Sequence, residues 1–136
     1  MKIVLDCNVI ISAGLTNGNC RKVLLDVLEN HTLYISENIL IEYRDVISRP
    51  KFKNVYQYLY SLIEIICEVS KLTYAKKTNF SLPDKDDLIY LETAISSDAD
   101  YLITGNIKDF PMKKYNKTSI ITPKEFLNTA NLCVQA

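Results

Sequence analysis

Apolar residues along the chain follow two alternating patterns. Short apolar runs of strand-forming residues occupy 1–6, 32–35, 101–104 and 118–121, and polar residues follow each of them. Between these runs, apolar residues recur every three to four positions, which is the spacing of one helix face. Strands that alternate with helices favour parallel pairing. The pattern therefore predicts a three-layer α/β fold, with a central parallel sheet of four or five strands and helices on both faces.

Local signals place the predicted helices between those strands. A short helix is expected at residues 9–15, a second at 20–29 after an Asn19 cap, a third up to residue 48 after a Ser36 cap, and a fourth at 54–67. Residues 68–74 alternate enough for a strand or an extended edge. A fifth helix begins near Asp84 and ends near residue 98, and the last begins at Pro123 with Thr122 as its cap.

Length and composition then limit the class of protein. The 136 residues, 48% hydrophobic and 24% charged, fit one globular domain that spans residues 1–136. Sixteen basic and sixteen acidic residues give a formal net charge of zero, so the chain is not a generic coat for nucleic acid. A polyanionic partner would have to be held by a local basic patch or through metal ions.

Cysteine and histidine usage excludes the usual zinc signatures. The four cysteines show no C-x-x-C spacing, and His31 is the only histidine. We expect reduced, packed thiols at Cys7, Cys20, Cys67 and Cys133. No apolar run approaches the roughly 20 residues that a membrane-spanning helix needs, so the expected location is cytoplasmic, without membrane contact.

Candidate chemistry lies where the predicted strands end. Asp6 follows the first strand, and Thr104, Asn106 and Asp109 follow the third. The carboxyl ends of parallel strands meet at one edge of a sheet, and helices that bear Glu42 and Asp87 can pack against that edge. Carboxylates brought so close repel one another unless a hard cation such as Mg²⁺ or Mn²⁺ neutralises them. A pair of such ions about 3.5–4 Å apart can activate water against a phosphodiester.

Simpler roles remain open for these acids. Glu42 falls at the edge of the apolar stripe of its helix, and it could instead extend outward to a lysine or arginine. Asp84, Asp86 and Asp87 open a helix, where carboxylates are favoured by about 0.3–1 kcal/mol each. Helix capping alone could therefore account for the run of aspartates.

Six segments together resemble one known family. They lie in the right order from the first strand to the final helix, at residues 4–12, 35–43, 48–52, 83–87, 99–106 and 121–127. In these segments the chain is similar to the PIN-domain family, specifically its bacterial and archaeal toxin-like branch. The resemblance implies a metal-dependent ribonuclease in which Asp6, Glu42 and Asp87 bind the metal.

The resemblance also implies supporting roles and one departure. Asn8 would orient Asp6 or a metal-bound water, and Thr104 would hold the loop at the sheet edge. Many relatives have aspartate where this chain has Asn106, so Asp109 would supply the fourth metal-binding acid directly or through water. That departure leaves open whether Asn106 or Asp109 fills the fourth catalytic position, and whether one or two metal ions bind. The remaining supporting residues are expected to be Ser12, Asp84 and Asp86.

The expected function is a Mg²⁺- or Mn²⁺-dependent endoribonuclease that cuts single-stranded RNA. By resemblance it is the toxin of a toxin–antitoxin pair, with a cognate antitoxin as its partner. Relatives commonly form homodimers, and the tyrosine-rich segment 55–60 would be the seam. RNA would be drawn by a set of basic residues, which could equally be ordinary solvated surface: Arg49, Lys51, Lys53 and Lys108.

Two other functions are weighed against this one. A PIN fold with a weakened site, as Asn106 suggests, would be an RNA- or protein-binding module. A phosphatase of the haloacid-dehalogenase type also places acids after its first strand, but it needs a second acid where this chain has Asn8. The loss of that general acid argues against the phosphatase.

Overall fold

The computed structural model describes the backbone of residues 1–135 and the side chains of residues 1–129. This part of the chain contains six strands and six α-helices. The strands are β1 (Lys2–Leu5), β2 (Thr32–Ile35), β3 (Lys71–Leu72), β4 (Tyr101–Ile103), β5 (Lys114–Tyr115) and β6 (Thr118–Ile121). The helices are α1 (Cys7–Leu15), α2 (Asn19–Asn30), α3 (Glu37–Ile47), α4 (Tyr56–Val69), α5 (Leu88–Ser96) and α6 (Pro123–Gln135).

The strands form one sheet in the order β3-β2-β1-β4-β6-β5. Every neighbouring pair is parallel except β5 and β6, which run antiparallel. The predicted α/β class with a mostly parallel central sheet is confirmed. The sheet has six strands where four or five were expected, because two-residue strands extend each edge. Of these, β3 lies inside the segment 68–74, whereas β5 is too short to leave a periodic signal.

The centre of the sheet is covered on both sides. Ile3, Val4 and Leu5 of β1 are each 0% exposed, as expected for a parallel strand with helices on its faces. Helix α5 packs against β1 and β4, while α2 packs against β2 and α6. Strand β1 is therefore held in place by packing on both of its faces. The residues that directly follow Leu5 are held in place with it.

Helix ends agree with several of the predicted caps. The Ser36 hydroxyl accepts a hydrogen bond from the Ile39 N–H at 3.3 Å and caps α3. Thr122 and Glu125 form a reciprocal capping box at the start of α6, with both bonds at 3.2 Å. The cap predicted at Asn19 is wrong, because Asn19 is the first helical residue of α2 and Gly18 precedes it without a side-chain bond.

Two helix boundaries differ from the prediction for a local reason. Pro50 begins a 3-10 helix, Pro50–Val55, so α4 starts at Tyr56 and continues to Val69. A second 3-10 turn, Lys85–Asp87, precedes α5, which shifts the helix start to Leu88. The Asp84 carboxylate caps that turn by accepting the Asp86 N–H at 2.9 Å. The capping role anticipated for the aspartate run therefore falls on Asp84 in the structure.

The cysteines that the structure describes form no disulfide. Cys7 is buried, and Cys20 and Cys67 are half-buried free thiols; the side chain of Cys133 lies outside the described residues. Among the described helices, none combines the length and apolar character needed to cross a bilayer.

Candidate functional site

Asp6 lies immediately after β1, at the carboxyl edge of the sheet. Its backbone N–H donates to the Ile103 carbonyl of β4 at 3.0 Å, and its own carbonyl accepts the Val9 N–H at 3.1 Å in the first turn of α1. The residue therefore belongs to both the sheet ladder and the helix start, and it is only 6% exposed. Its carboxylate is thus fixed at the sheet edge by backbone bonds on both sides.

Two polar side chains hold the Asp6 carboxylate. The Thr104 hydroxyl, at the end of β4, donates to Asp6 Oδ2 at 2.8 Å and accepts the Asn106 N–H at 3.0 Å. Asn8 Nδ2 donates to the same oxygen at 3.4 Å, and Asn8 Oδ1 accepts the Gly105 N–H at 3.2 Å. The loops after β1 and β4 are therefore tied together through one carboxylate oxygen.

Glu42 reaches the same edge from α3. The next residue, Tyr43, is fully buried, and its hydroxyl donates to the Leu5 carbonyl at 2.6 Å. This bond joins α3 to the end of β1 and so brings the Glu42 side chain beside Asp6. The carboxylate forms no salt bridge with any described residue, so the outward pairing that the sequence left open is not found there.

Asp87 reaches the cavity from the start of α5. It ends the 3-10 turn before α5, which packs on β1 and β4. Its Oδ2 atom is buried and has no hydrogen-bond partner within the described chain. An unpaired buried carboxylate oxygen is costly, so this atom is the clearest sign of a missing partner at the site.

These acids surround one cavity of about 480 Å³. Its polar and charged lining combines most of the predicted site residues: Asp6, Asn8, Ser12, Glu42, Arg49, Lys51, Asp84, Asp86, Asp87, Asn106 and Asp109. Thr104 lies behind Asp6 and is fully buried. Lys53 and Lys108 are not part of the lining: Lys53 borders a separate groove near Pro50, and Lys108 is exposed. Of the predicted basic set, only Arg49 and Lys51 adjoin the acids.

Burial and mutual repulsion make the carboxylates hard to ionise. Burial raises the pKa of Asp87 to about 7, and the charges of Asp6 and Asp109 add to the shift. Burial likewise raises the pKa of Asp6, against the lowering effect of the Thr104 hydrogen bond. The pKa of Glu42 is raised by burial and by Asp45, with Arg49 acting in the opposite direction. The cavity therefore disfavours ionised carboxylates as it stands, and added positive charge would favour them.

The donor set suits a hard divalent cation. Oxygen ligands are what Mg²⁺ and Mn²⁺ prefer, the buried Asp87 Oδ2 atom lacks a partner, and bound positive charge would relieve the raised pKa values. Across residues 1–129, however, no group of three or more His, Cys, Asp and Glu side chains is arranged to hold an ion as it stands. Closure on a cation would thus need side-chain rotation within the cavity.

Some residues of the cavity were missed by the sequence reasoning. Cys7, Ile11, Val46, Phe52 and Tyr90 also line it. Burial raises the pKa of the Cys7 thiol to about 12, which leaves it a packed, unreactive group. Tyr90 sits three residues after Asp87 on a helix otherwise facing the core, so a polar hydroxyl at that position was the available signal.

An acid-lined cavity at the carboxyl edge of a mostly parallel sheet defines the class: an α/β protein with an acidic cavity at the edge where such folds bind their ligands. A family model described as "PIN domain" matches residues 2–108. The chain therefore belongs to the PIN domain family, as its segments predicted. Members of this family are generally nucleases. Asp109 lies one residue beyond the matched segment, so the match does not cover the predicted fourth acid.

Solved structures show the same fold. A chain of VapBC2 from Rickettsia felis, bound to a DNA fragment from its promoter, matches with a TM-score of 0.64 at 21% identity, over 90% of this chain and 98% of the other. A chain of FitAB bound to an IR36 DNA fragment matches with a TM-score of 0.58 at 18% identity, over 89% and 94%. No curated protein gives a significant match.

Proposed function

We propose that the protein is a Mg²⁺- or Mn²⁺-dependent endoribonuclease that hydrolyses phosphodiester bonds of single-stranded RNA. The observation that carries the proposal is the cavity lined by Asp6, Glu42, Asp87 and Asp109, in which burial raises the pKa of the first three and one Asp87 oxygen has no partner within the described chain. These four acids would hold the cation. When bound, it would activate water and stabilise the leaving oxygen of the phosphodiester.

The chain's own residues supply positioning. Thr104 and Asn8 both donate hydrogen bonds to Oδ2 of Asp6. These bonds fix the orientation of the carboxylate at the sheet edge, and with it the direction of its other oxygen. Arg49 and Lys51 line the same cavity and are exposed. Positive side chains beside an acidic centre would draw the RNA backbone without reading its bases. The supporting roles of Ser12 and Asp86 and the catalytic role of Asn106 stay predictions.

We further propose that the protein is the toxin of a toxin–antitoxin pair. Two of the similar solved structures are chains of VapBC2 and FitAB, each bound to a DNA fragment. This favours a protein that works together with a partner that binds DNA.

The proposed homodimer rests on Tyr58 and Tyr60, which are 55% and 40% exposed on α4. It is tested by the mass of the protein in solution.

Cleavage of single-stranded RNA by the purified protein tests the enzyme. We expect cleavage with Mn²⁺ or Mg²⁺, none with EDTA, and a loss of about 100-fold or more for Asp6→Asn, which keeps the side-chain shape but removes the charge. Asp26→Asn is the matched control, because Asp26 pairs with His31 outside the cavity. Unchanged cleavage by Asp6→Asn would overturn the assignment of the site.

A second candidate is a PIN-fold module that binds RNA or protein without cutting it. Asn106 in place of an acid and the lack of a preformed three-acid group in the described residues favour it. Calorimetry separates the two: RNA affinity with no divalent-cation binding would establish the binding module.

A further inference from the structure

Tyr90 is the second group in the cavity with an unmet hydrogen bond. It lies on α5, is 3% exposed and lines the cavity, yet its buried hydroxyl has no partner among the described residues. Buried hydroxyl groups are nearly always hydrogen-bonded, so an exception needs a physical explanation. The ring itself is held firmly, since it stacks on Tyr43 with centroids 6.5 Å apart.

Tyr43 shows what a structural tyrosine does in the same place. Its hydroxyl donates to the Leu5 carbonyl at 2.6 Å and joins two elements of the fold. Tyr90 makes no such link, although both rings share the same packing. Its hydroxyl therefore adds nothing to the stability of the described fold and costs free energy through desolvation. A partner that arrives only when the site is loaded would account for it.

Among the groups around the hydroxyl, one side chain is best suited to be its partner. The charged and titratable groups that act on it are Tyr43, Cys7, Asp6 and Glu42. The Tyr43 hydroxyl is held on the Leu5 carbonyl, and the Asp6 carboxylate is held in its orientation by the two bonds that Oδ2 accepts. A large ligand cannot reach an atom that solvent does not touch. Glu42 is half-buried, forms no salt bridge within the described chain, and is the acceptor that can turn toward the hydroxyl.

We propose that Tyr90 is a positioning residue for Glu42. In the cation-loaded site the Glu42 carboxylate turns inward and accepts a hydrogen bond from the Tyr90 hydroxyl, which leaves its second oxygen free for the cation. Holding a flexible glutamate in one rotamer reduces the entropy lost on binding, and partners of this kind are important for metal affinity. The proposal rests on the cation-dependent function above, and it explains why the acids are not yet arranged to hold an ion.

The pair Tyr90→Phe and Tyr43→Phe tests this, because each change removes one hydroxyl from a packed ring. For Tyr90→Phe we expect Mn²⁺ affinity, measured by calorimetry, to fall about 5- to 20-fold, at the lower end of what loss of such a partner costs. The melting temperature of the metal-free protein should stay equal or rise. For Tyr43→Phe the melting temperature should fall, because the hydroxyl that joins α3 to β1 is lost.

A second comparison shows whether Tyr90 acts through Glu42. In a Glu42→Ala background, adding Tyr90→Phe should produce no further loss of Mn²⁺ affinity, since the acceptor is gone. An equal loss in both backgrounds would overturn the proposal, as would unchanged affinity in Tyr90→Phe alone or a lower melting temperature of that metal-free variant. Wild-type protein that binds no Mn²⁺ would overturn the proposed enzyme and this inference together. Normal wild-type binding with an unaffected Tyr90→Phe would overturn this inference alone.

Discussion

The acidic side chains at the two ends of the parallel sheet differ in whether they have partners. At the amino end, Asp100 accepts the Lys2 N–H at 2.8 Å, and Asp26 pairs with His31 at 3.1 Å. At the carboxyl end, Asp87 keeps a buried oxygen without a partner among the described residues, and its pKa is raised to about 7 chiefly by burial. The fold thus pairs these two acids at the amino end and leaves one Asp87 oxygen unpaired at the carboxyl end, which is the behaviour expected of a binding site.

Exchanging one acid at each end gives the largest expected contrast. Asp87→Asn should lower RNA cleavage by about 100-fold or more while leaving the metal-free protein as stable or more stable, because an unpaired buried charge is removed. Asp100→Asn should leave cleavage unchanged and cost about 0.5–1.5 kcal/mol of unfolding free energy. Cleavage assays and denaturant unfolding of both variants measure the contrast. Equal loss of cleavage in the two variants would show that the acids at the two ends of the sheet do not differ in function.

The pH dependence of stability should also separate the ends. The folded protein holds the Asp87 proton up to about pH 7, whereas the unfolded chain releases it near the ordinary value of 3.8. The folded state therefore binds more protons in this window, so the free energy of unfolding falls as pH rises through it. Allowing for partial solvent screening, we expect a decrease of about 1–2 kcal/mol in metal-free protein.

The control for this pH effect is Asp87→Asn, which should flatten the slope between pH 4 and pH 7. Asp6 and Glu42 also have raised pKa values, chiefly through burial, and contribute with the same sign. Saturating Mg²⁺ should counteract the decrease, because cation binding favours the ionised carboxylates. If the free energy of unfolding has the same pH dependence in wild type and Asp87→Asn, the fold does not raise the pKa of Asp87.

A smaller effect is expected where the site depends on a neutral side chain. Thr104→Val removes the hydroxyl that donates to Asp6 at 2.8 Å, so the carboxylate loses its orientation and its pKa should rise further. We expect cleavage to fall about 10-fold. Thr104→Ser keeps the hydroxyl and is the matched control; a similar loss in both variants would point to packing rather than to the hydrogen bond.

The smallest effect concerns the fourth acid. Asp109 lines the cavity, and its charge contributes to the raised pKa values of Asp6 and Asp87 after burial. We expect Asp109→Asn to weaken Mn²⁺ affinity about 3-fold and Asn106→Asp to strengthen it by a similar factor. Calorimetry distinguishes the two positions. If only Asn106→Asp changes affinity, Asp109 is outside the metal's reach.

The acids differed in how far the sequence could place them. The position of Asp6 was predictable, because a carboxylate that directly follows a buried parallel strand lies at the carboxyl edge of the sheet. The position of Glu42 was ambiguous, because a helical wheel gives the direction of a side chain around its helix but not the residue that it contacts there. The Tyr43 bond to the Leu5 carbonyl settles the position of α3 beside β1, and that contact joins residues 38 positions apart.

The basic residues show the same limit. Arg49, Lys51, Lys53 and Lys108 look equivalent in the sequence, but only Arg49 and Lys51 line the cavity. The 3-10 helix Pro50–Val55 directs successive side chains to different sides, and this short element has no apolar repeat by which it could be predicted. Lys108 sits in another such turn, Ile107–Asp109.

By itself, the sequence determined the alternation of strands and helices, the caps at Ser36 and Thr122, and the carboxylate at the end of β1. Each of these depends on burial periodicity or on hydrogen bonds between residues close in the chain. Only the tertiary structure decided that the Asp87 oxygen and the Tyr90 hydroxyl are buried without partners in the same cavity. Whether a polar atom has a partner depends on side chains brought together from distant segments, and no local pattern records that.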